Sequence, residues 1–278
     1  MLGLKESTYY YKPKSHKKIE EDVKLKFEIE KLHSELPGYG YRRVTEHFKK
    51  NGVVINKKRV QRVMQDFGLH SVLKRKSVPF RSYSPEPKCC FDNLIKGLSV
   101  TGLDQVWVTD MTFIKIDTGF IFLSAVLDVY SRKIVGWALS RKLDHKLCVA
   151  SIQAALKNRK RSDGEGIIHH SDQGSQYTSN LYVNFLEGLN FKISMSKRGT
   201  PTENGYIEAF FKTLKHEEIL VKKYSTLEEI KAAIPRFIEG IYNEKRLHSG
   251  IGYQTPIEFE FNIINNMELI DRPVQEIA

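Results

Sequence analysis

From Asp104 onward the chain changes character, and the order of its segments narrows the fold more than any other feature. Gln105–Ile116, Gly119–Val129 and Lys133–Ser140 are rich in β-branched and aromatic residues, which suit a pleated, half-buried surface. Short turns at Asp117–Gly119 and Tyr130–Arg132 separate them, so they read as three consecutive antiparallel strands. His145–Arg161 reads as a helix with Leu147, Ala150, Ala154 and Ala155 turned inward. Gly166–His170 is a short buried strand, Asn180–Leu189 a helix and Phe191–Ser194 another strand. A meander followed by alternating helix and strand predicts an α/β domain whose mixed sheet is flanked by helices on both faces.

Three acidic residues stand out against this pattern. Asp110 lies mid-strand in the apolar run WVTDMTFI, on the same face as Val106 and Val108. A charge there is costly unless it is paired or metal-bound. Asp172 follows the short buried strand and opens the loop Ser171–Ser175, and strand C-termini are where open α/β sheets hold ligands. Glu208 falls 35 intervening residues later on a helix that Thr200 can cap, with Pro201 at its first position and Glu203 closing a capping box. Ile207, Phe210, Phe211 and Leu214 form its apolar stripe, and Glu208 borders it, with Lys212 and Lys215 further along the same side. Three carboxylates gathered from distant segments suit two divalent cations of the kind that serve phosphoryl transfer. Oxygen-only ligands favour Mg²⁺ or Mn²⁺ over zinc. Taken singly, each residue also has a plainer reading: a buried ion pair for Asp110, a turn for Asp172 and a solvated Glu–Lys pair for Glu208.

The N-terminal third differs in charge. Residues 1–100 hold 22 Lys and Arg against 11 Asp and Glu, whereas residues 101–278 hold 22 of each. A positive excess confined to one segment suits a polyphosphate partner, because binding releases condensed counterions. Residues 1–70 read as helical. Lys17–His33 shows a loose helical pattern through Val23, Phe27 and Ile29, and Leu36–Gly40 breaks it. Val44 and Phe48 mark a helix ending near Asn51-Gly52. Asn56 caps the next, where Val60, Val63, Met64 and Phe67 recur at helical spacing up to Gly68. The opposite face carries Lys57, Lys58, Arg59 and Arg62, which fits either a helix-turn-helix that binds DNA or an ordinary helical hairpin. Residues 71–103 read as a basic, proline-containing linker able to track a DNA backbone, residues 104–262 as the catalytic core and residues 263–278 as a tail.

Other classes recede. No apolar run approaches the roughly 18 residues of a membrane span, and the N-terminus has no signal-peptide core. Three cysteines, two of them adjacent (Cys89 and Cys90), form neither a disulfide framework nor a zinc pattern, so a cytoplasmic location is expected. His169 and His170 are strand neighbours facing opposite ways, and read as structural or DNA-facing rather than as joint metal ligands. None of the 13 tyrosines sits in an evident His/Arg setting that would activate it as a nucleophile.

The segments WVTDMTFI, HSDQGSQY and GYIEAFFKTLKHE resemble the three catalytic blocks of the DDE transposases of bacterial insertion sequences, which are related to retroviral integrases. GYGYRRVTEHFKKNGVVINKKRVQRVMQDFGL is similar to the helix-turn-helix of the second-frame product of insertion sequence family three, and YNEKRLHSGIGYQTPIEFE to its C-terminal signature. The resemblance spans roughly residues 36–262. It implies a ribonuclease-H-like core, with Asp110, Asp172 and Glu208 as catalytic triad and ligands of two Mg²⁺, and Lys215 as the basic residue two turns on. It implies cleavage at element ends to expose a 3′ hydroxyl, which then attacks target DNA. It further implies a homo-oligomer holding two DNA ends, and a first-frame partner product or fusion supplying an upstream half. The chain departs from the family pattern at Glu203, where Asp is usual, at Gly205, where Ala is common, and at Pro235, which interrupts the helix after Thr226. Two alternatives stay open: a ribonuclease-H-like nuclease that cuts without joining, and a DNA-binding regulator without catalysis.

Overall fold

The computed structural model describes residues 16–72, 91–197, 200–265 and 275–276. The chain forms two compact units, Met1–Leu73 and Lys74–Ala278. Among the described residues no helix is long and apolar enough to cross a membrane.

The first unit is all helical: α1 (His16–Glu35), α2 (Tyr41–Lys50) and α3 (Lys57–Asp66). Asn56 caps α3 as expected, its side chain accepting the Lys58 N–H at 2.9 Å. Gly52, at φ +79°, turns the chain between α2 and α3 where a side chain would be strained. Ile29, Leu32, Leu36, Val44, Phe48, Val60, Val63 and Met64 are buried. Two expectations change. The buried seam of α1 runs through Ile29 and Leu32 and on to Leu36 just after the helix, while Phe27 is exposed with the Lys26 ammonium 5.0 Å from its ring centroid. Phe67 follows the last turn of α3 and is also exposed, because the helix ends before its side chain can reach the core.

The second unit is built on a five-stranded sheet: β2 (Val106–Ile116), β3 (Gly119–Asp128), β4 (Ile134–Ser140), β5 (Ile168–Ser171) and β6 (Lys192–Met195), in the order β4-β3-β2-β5-β6. β2, β3 and β4 pair antiparallel, and β5 joins β2 and β6 in parallel. This is the predicted meander followed by crossovers. α4 (His145–Asn158) and α5 (Asn180–Gly188) contribute Cys148, Ile152, Ala155, Tyr182, Val183 and Leu186 to a core that includes Trp107, Val126, Val135 and Phe191. Close approach of α4 to the sheet requires Gly136, since a Cβ there would lie 2.5 Å from the Ala155 nitrogen.

α6 (Gly205–Leu214) packs against β2 and β3 through Ile207, Phe210, Phe211 and Leu214. The expected capping box at its start is absent. Pro201–Asn204 forms a 3₁₀ turn, closed by the Glu203 N–H on the Thr200 carbonyl. The Glu203 carboxylate instead accepts the Lys197 N–H at 2.7 Å and the Thr200 hydroxyl at 3.0 Å.

α7 (Leu227–Pro235) continues past Pro235 as a π-helical segment, Arg236–Asn243, so the missing proline donor falls where the helix changes type and not where it breaks. From that segment Asn243 clamps β4, accepting the Ile134 N–H at 2.9 Å and donating to its carbonyl at 3.0 Å. α8 is Pro256–Ile264. Within the stretch read as linker, Ile95 and Val100 are buried in this unit. There β1 (Ser99–Val100) pairs with β7 (Gln275–Glu276) from the tail. The proline-rich part of that linker lies outside the described residues.

Candidate active site

Strand register places the first two carboxylates side by side. Val108 on β2 is level with His170 on the parallel strand β5. Two residues further along the chain from each come Asp110, still on β2, and Asp172, just past the end of β5 at Ser171. Asp110 also pairs across the antiparallel ladder with Ala125. The third carboxylate arrives on α6, whose start is tied to β2 by Asn204, donating to the Thr109 carbonyl at 3.1 Å. Asp110 is half-buried, while Asp172 and Glu208 reach the surface, so the group opens to solvent on one side.

Electrostatics links the three. The Asp110 carboxyl is pushed up to about 8 by burial first, then by the charges of Asp172 and Glu208; the Met111 N–H and Lys215 act the other way. That N–H donates to Asp110 Oδ1 at 2.7 Å. Burial also raises Asp172, against the Gly174 N–H that donates to it at 2.9 Å. Glu208 is raised by burial and by Asp172. Asp110 makes no salt bridge among the described residues, which removes the buried ion pair as its explanation. Among those residues no three His, Cys, Asp or Glu side chains close into a metal cage.

An integrase core domain model matches residues 101–201, a second integrase core domain model matches residues 189–256, and an HTH-like domain model matches residues 20–77. The chain is 36% identical over 250 residues to the transposase for insertion sequence element IS904 of Lactococcus lactis subsp. lactis (strain IL1403), covering 88% of this chain and 96% of that protein. It is 33% identical over 255 residues to the putative transposase InsK for IS150 of Escherichia coli (strain K12), covering 91% and 88%. It is also 33% identical over 223 residues to the E. coli transposase InsF for IS3A, covering 80% and 76%. The chain belongs to the IS3-family insertion-sequence transposases. The HTLV-2 integrase catalytic core domain in complex with magnesium aligns at a TM-score of 0.42 and 16% identity, covering 60% of this chain and 98% of that one.

In this transposase-family chain the remaining predicted site residues fall in different settings. Lys212 is exposed on α6. Lys215 lies nearer the carboxylates: burial lowers its pKa, Asp110 opposes that shift, and its ammonium is 5.0 Å from the Phe113 ring centroid. Lys57 and Lys58 are exposed at the start of α3. Arg59 and Arg62 are part-exposed and also make ion pairs within the unit. Arg59 pairs with Asp22 at 3.1 Å and Glu21 at 3.2 Å, and Arg62 pairs with Asp22 at 2.9 Å. Half of the basic face read from the sequence therefore braces α1 against α3.

Asp22 is buried, which would raise its pKa, but hydrogen bonds from Arg62 and Arg59 outweigh this and hold it below the usual carboxylate value. A lowered folded-state pKa contributes stability above the unfolded pKa and loses it as pH falls through the folded one. Asp22→Asn is thus expected to lower the thermal midpoint of the N-terminal unit at pH 7. The gap from wild type should narrow below about pH 4, near the unperturbed Asp value. Methyl NMR of Val60 and Val63 during melting reads this directly.

Both tandem histidines prove structural, and the DNA-facing alternative does not hold. His169 is buried with Nε2 2.9 Å from the Tyr182 hydroxyl and 3.2 Å from Thr109 Oγ1. His170 is buried with Nδ1 2.9 Å from Ser194 Oγ. Burial above all pushes them down to about 3 and about 4, so both are neutral. The sequence reading passed over Asn204. Its position in the Pro201–Gly205 turn suggests capping, and only the fold brings it to the Thr109 carbonyl. It also missed Tyr206, whose ring lies 3.7 Å from the Arg132 guanidinium beside the start of α6.

Proposed function

We propose that this chain cuts DNA at the ends of its insertion sequence and transfers the exposed 3′ hydroxyl to target DNA, with Asp110, Asp172 and Glu208 as the catalytic carboxylates. The observation that carries this reading is the meeting of Asp110 on β2 with Asp172, just past the end of the parallel neighbour β5, and with Glu208, both close enough for their charges to be felt at Asp110. Their donor set is all oxygen, and their charges oppose one another's ionisation, which a divalent cation would relieve. The three residues therefore fit Mg²⁺, as two ions that Mn²⁺ can replace. When bound, such ions polarise the scissile phosphate and activate the attacking oxygen. Lys215 and Lys212 hold backbone phosphates beside the carboxylates. Lys57 and Lys58 supply the free positive charge of the helix-turn-helix toward DNA, and Arg59 and Arg62 reach it while bracing α1. Residues 1–70 then serve as the DNA-binding region, and the stretch read as linker, whose Ile95 and Val100 pack into the second unit, joins it to the catalytic core at 104–262. The chain works as a homo-oligomer on two DNA ends, with a first-frame product as partner or fusion.

The test uses the purified chain with labelled duplexes from the DNA flanking its gene, with and without Mg²⁺, beside Glu208→Ala. Metal-dependent 3′-end nicking and joining that the variant lacks is the expected outcome. Nicking without joined product would favour the nuclease alternative. Binding without chemistry in either protein would favour a regulator, or a need for the first-frame partner.

A further inference from the structure

The end of the β2–β3 hairpin carries two large aromatic side chains that the core does not use. Phe113 is 53% exposed and Phe120 is 50% exposed, although their neighbours Ile114 and Ile121 are buried. The rings meet edge to face, with centroids 5.5 Å apart. Phe113 and Lys115 are two residues apart on β2, and Phe120 pairs across the ladder with Lys115, so all three share one face. Lys115 is exposed. Lys215 reaches the same face from the end of α6, its ammonium 5.0 Å from the Phe113 ring centroid. The platform is held in place, since the Asp117 N–H at the hairpin tip donates to the Ser225 carbonyl at 3.2 Å.

We infer that Phe113 and Phe120 form a stacking platform for an unpaired DNA base, on the face of β2 opposite Asp110 and joined to the carboxylate site by Lys215, with Lys115 and Lys215 on the phosphates that flank the base. The inference rests on the reading of this chain as a DNA-cutting and DNA-joining enzyme, and it adds a recognition element outside the triad. Every base has a π-face, so aromatic rings hold unpaired bases with little regard to sequence. In duplex DNA those faces are covered by stacked neighbours. The platform therefore selects for strand ends that have opened. Lys215 connects the two regions: its charge acts on Asp110 while its ammonium lies over Phe113. A strand whose phosphate lies at the carboxylates passes Lys215, which leads a neighbouring unpaired base to the rings. A second copy of the chain fits this face less well, because two such faces would bring lysines against lysines.

The experiment uses the full chain and duplexes from the DNA flanking its gene, either fully paired or with the last pairs mismatched, in Mg²⁺-free buffer. 2-Aminopurine replaces the terminal base. Wild type is expected to bind the frayed end more tightly than the paired one and to quench the probe. Phe113→Ala should lose about 5- to 150-fold of affinity for the frayed end, the range of one stacked base. It should also lose the quench, and Phe113→Trp should keep both. Circular dichroism checks that the exposed substitutions leave the fold intact. Equal binding of frayed and paired ends, or a quench that survives Phe113→Ala combined with Phe120→Ala, overturns the platform while leaving the transposase reading intact. A chain that loses self-association in Phe113→Ala and keeps the quench makes this face a subunit contact and also overturns it. Failure of wild type to bind either duplex defeats the DNA-processing reading itself, and the platform with it.

Discussion

Asp110→Asn is expected to abolish Mg²⁺-dependent nicking and joining of element-end DNA while leaving DNA binding in place. The substitution keeps the shape of the side chain and its acceptor for the Met111 N–H, but removes the charge. Loss of groups that merely orient metal ligands costs about 10–100-fold, so loss of a ligand itself should cost on the order of 10³-fold or more. Gel assays of 3′-end nicking and strand transfer, run beside fluorescence anisotropy with the same DNA, separate chemistry from binding. As a second proposed ligand of the same cations, Asp172 should give the same loss on substitution by Asn. A variant that nicks at the wild-type rate would remove Asp110 from the active site.

Arg159→Met is expected to give the largest loss of stability in the core unit, about 3–5 kcal/mol at neutral pH, the range for breaking a buried ion network on one side. Arg159 ends α4 and pairs with Asp104 at 2.8 Å, with Glu260 of α8 at 2.5 Å and more distantly with Asp128 at 3.8 Å. Glu260 keeps only Lys133, at 2.8 Å, once the guanidinium is gone. Asp128 is already pushed up to about 6 by burial, against the Ser131 N–H and Arg159. Glu260 is buried as well, yet Arg159 and then Lys133 hold it below its usual value. A lowered Glu contributes stability above its unfolded pKa, and a raised Asp loses stability as pH rises through its folded value. Removing Arg159 weakens the first effect and strengthens the second. The defect should therefore be greatest at pH 7–8 and shrink in acid, below about pH 5, where both carboxyls take up protons. Urea melts followed by tryptophan fluorescence test this cleanly, since both tryptophans, Trp107 and Trp137, lie in the core unit. A loss independent of pH would mean that Arg159 acts by packing alone.

Much of this architecture is legible in the sequence because it is local. Alternating apolar residues mark β2, β3 and β4, and the three strands appear within a few residues of their expected bounds. Asn56 caps α3 because its side chain needs only the nearby Lys58 N–H. The apolar stripe of α6 likewise follows from helical spacing alone. Where the reading failed, the deciding partner lay far away in the chain. Arg59 and Arg62 look free on a helical wheel, yet Asp22, nearly forty residues earlier, holds them. Phe27 matches a buried position by spacing, but the seam of α1 runs through Ile29, since α3 packs there. Thr200 and Glu203 carry the letters of a capping box and instead close a 3₁₀ turn over the Lys197 N–H.

The acidic residues show the same division. Local patterning determined that Asp110 sits within an apolar strand, that Asp172 follows another and that Glu208 borders a helix stripe. Hydrophobic periodicity is a property of neighbours along the chain, so it survives in one dimension. Tertiary structure alone decided that β5 lies parallel beside β2 with Val108 level with His170, which carries Asp172, just past β5, toward Asp110, and that Asn204 fastens the helix carrying Glu208 to the same strand. It also brought Lys215 within reach of both Asp110 and the Phe113 ring and left Phe113 and Phe120 exposed. Strand order and register depend on which distant surfaces bury each other, and that choice is made by the packed core as a whole.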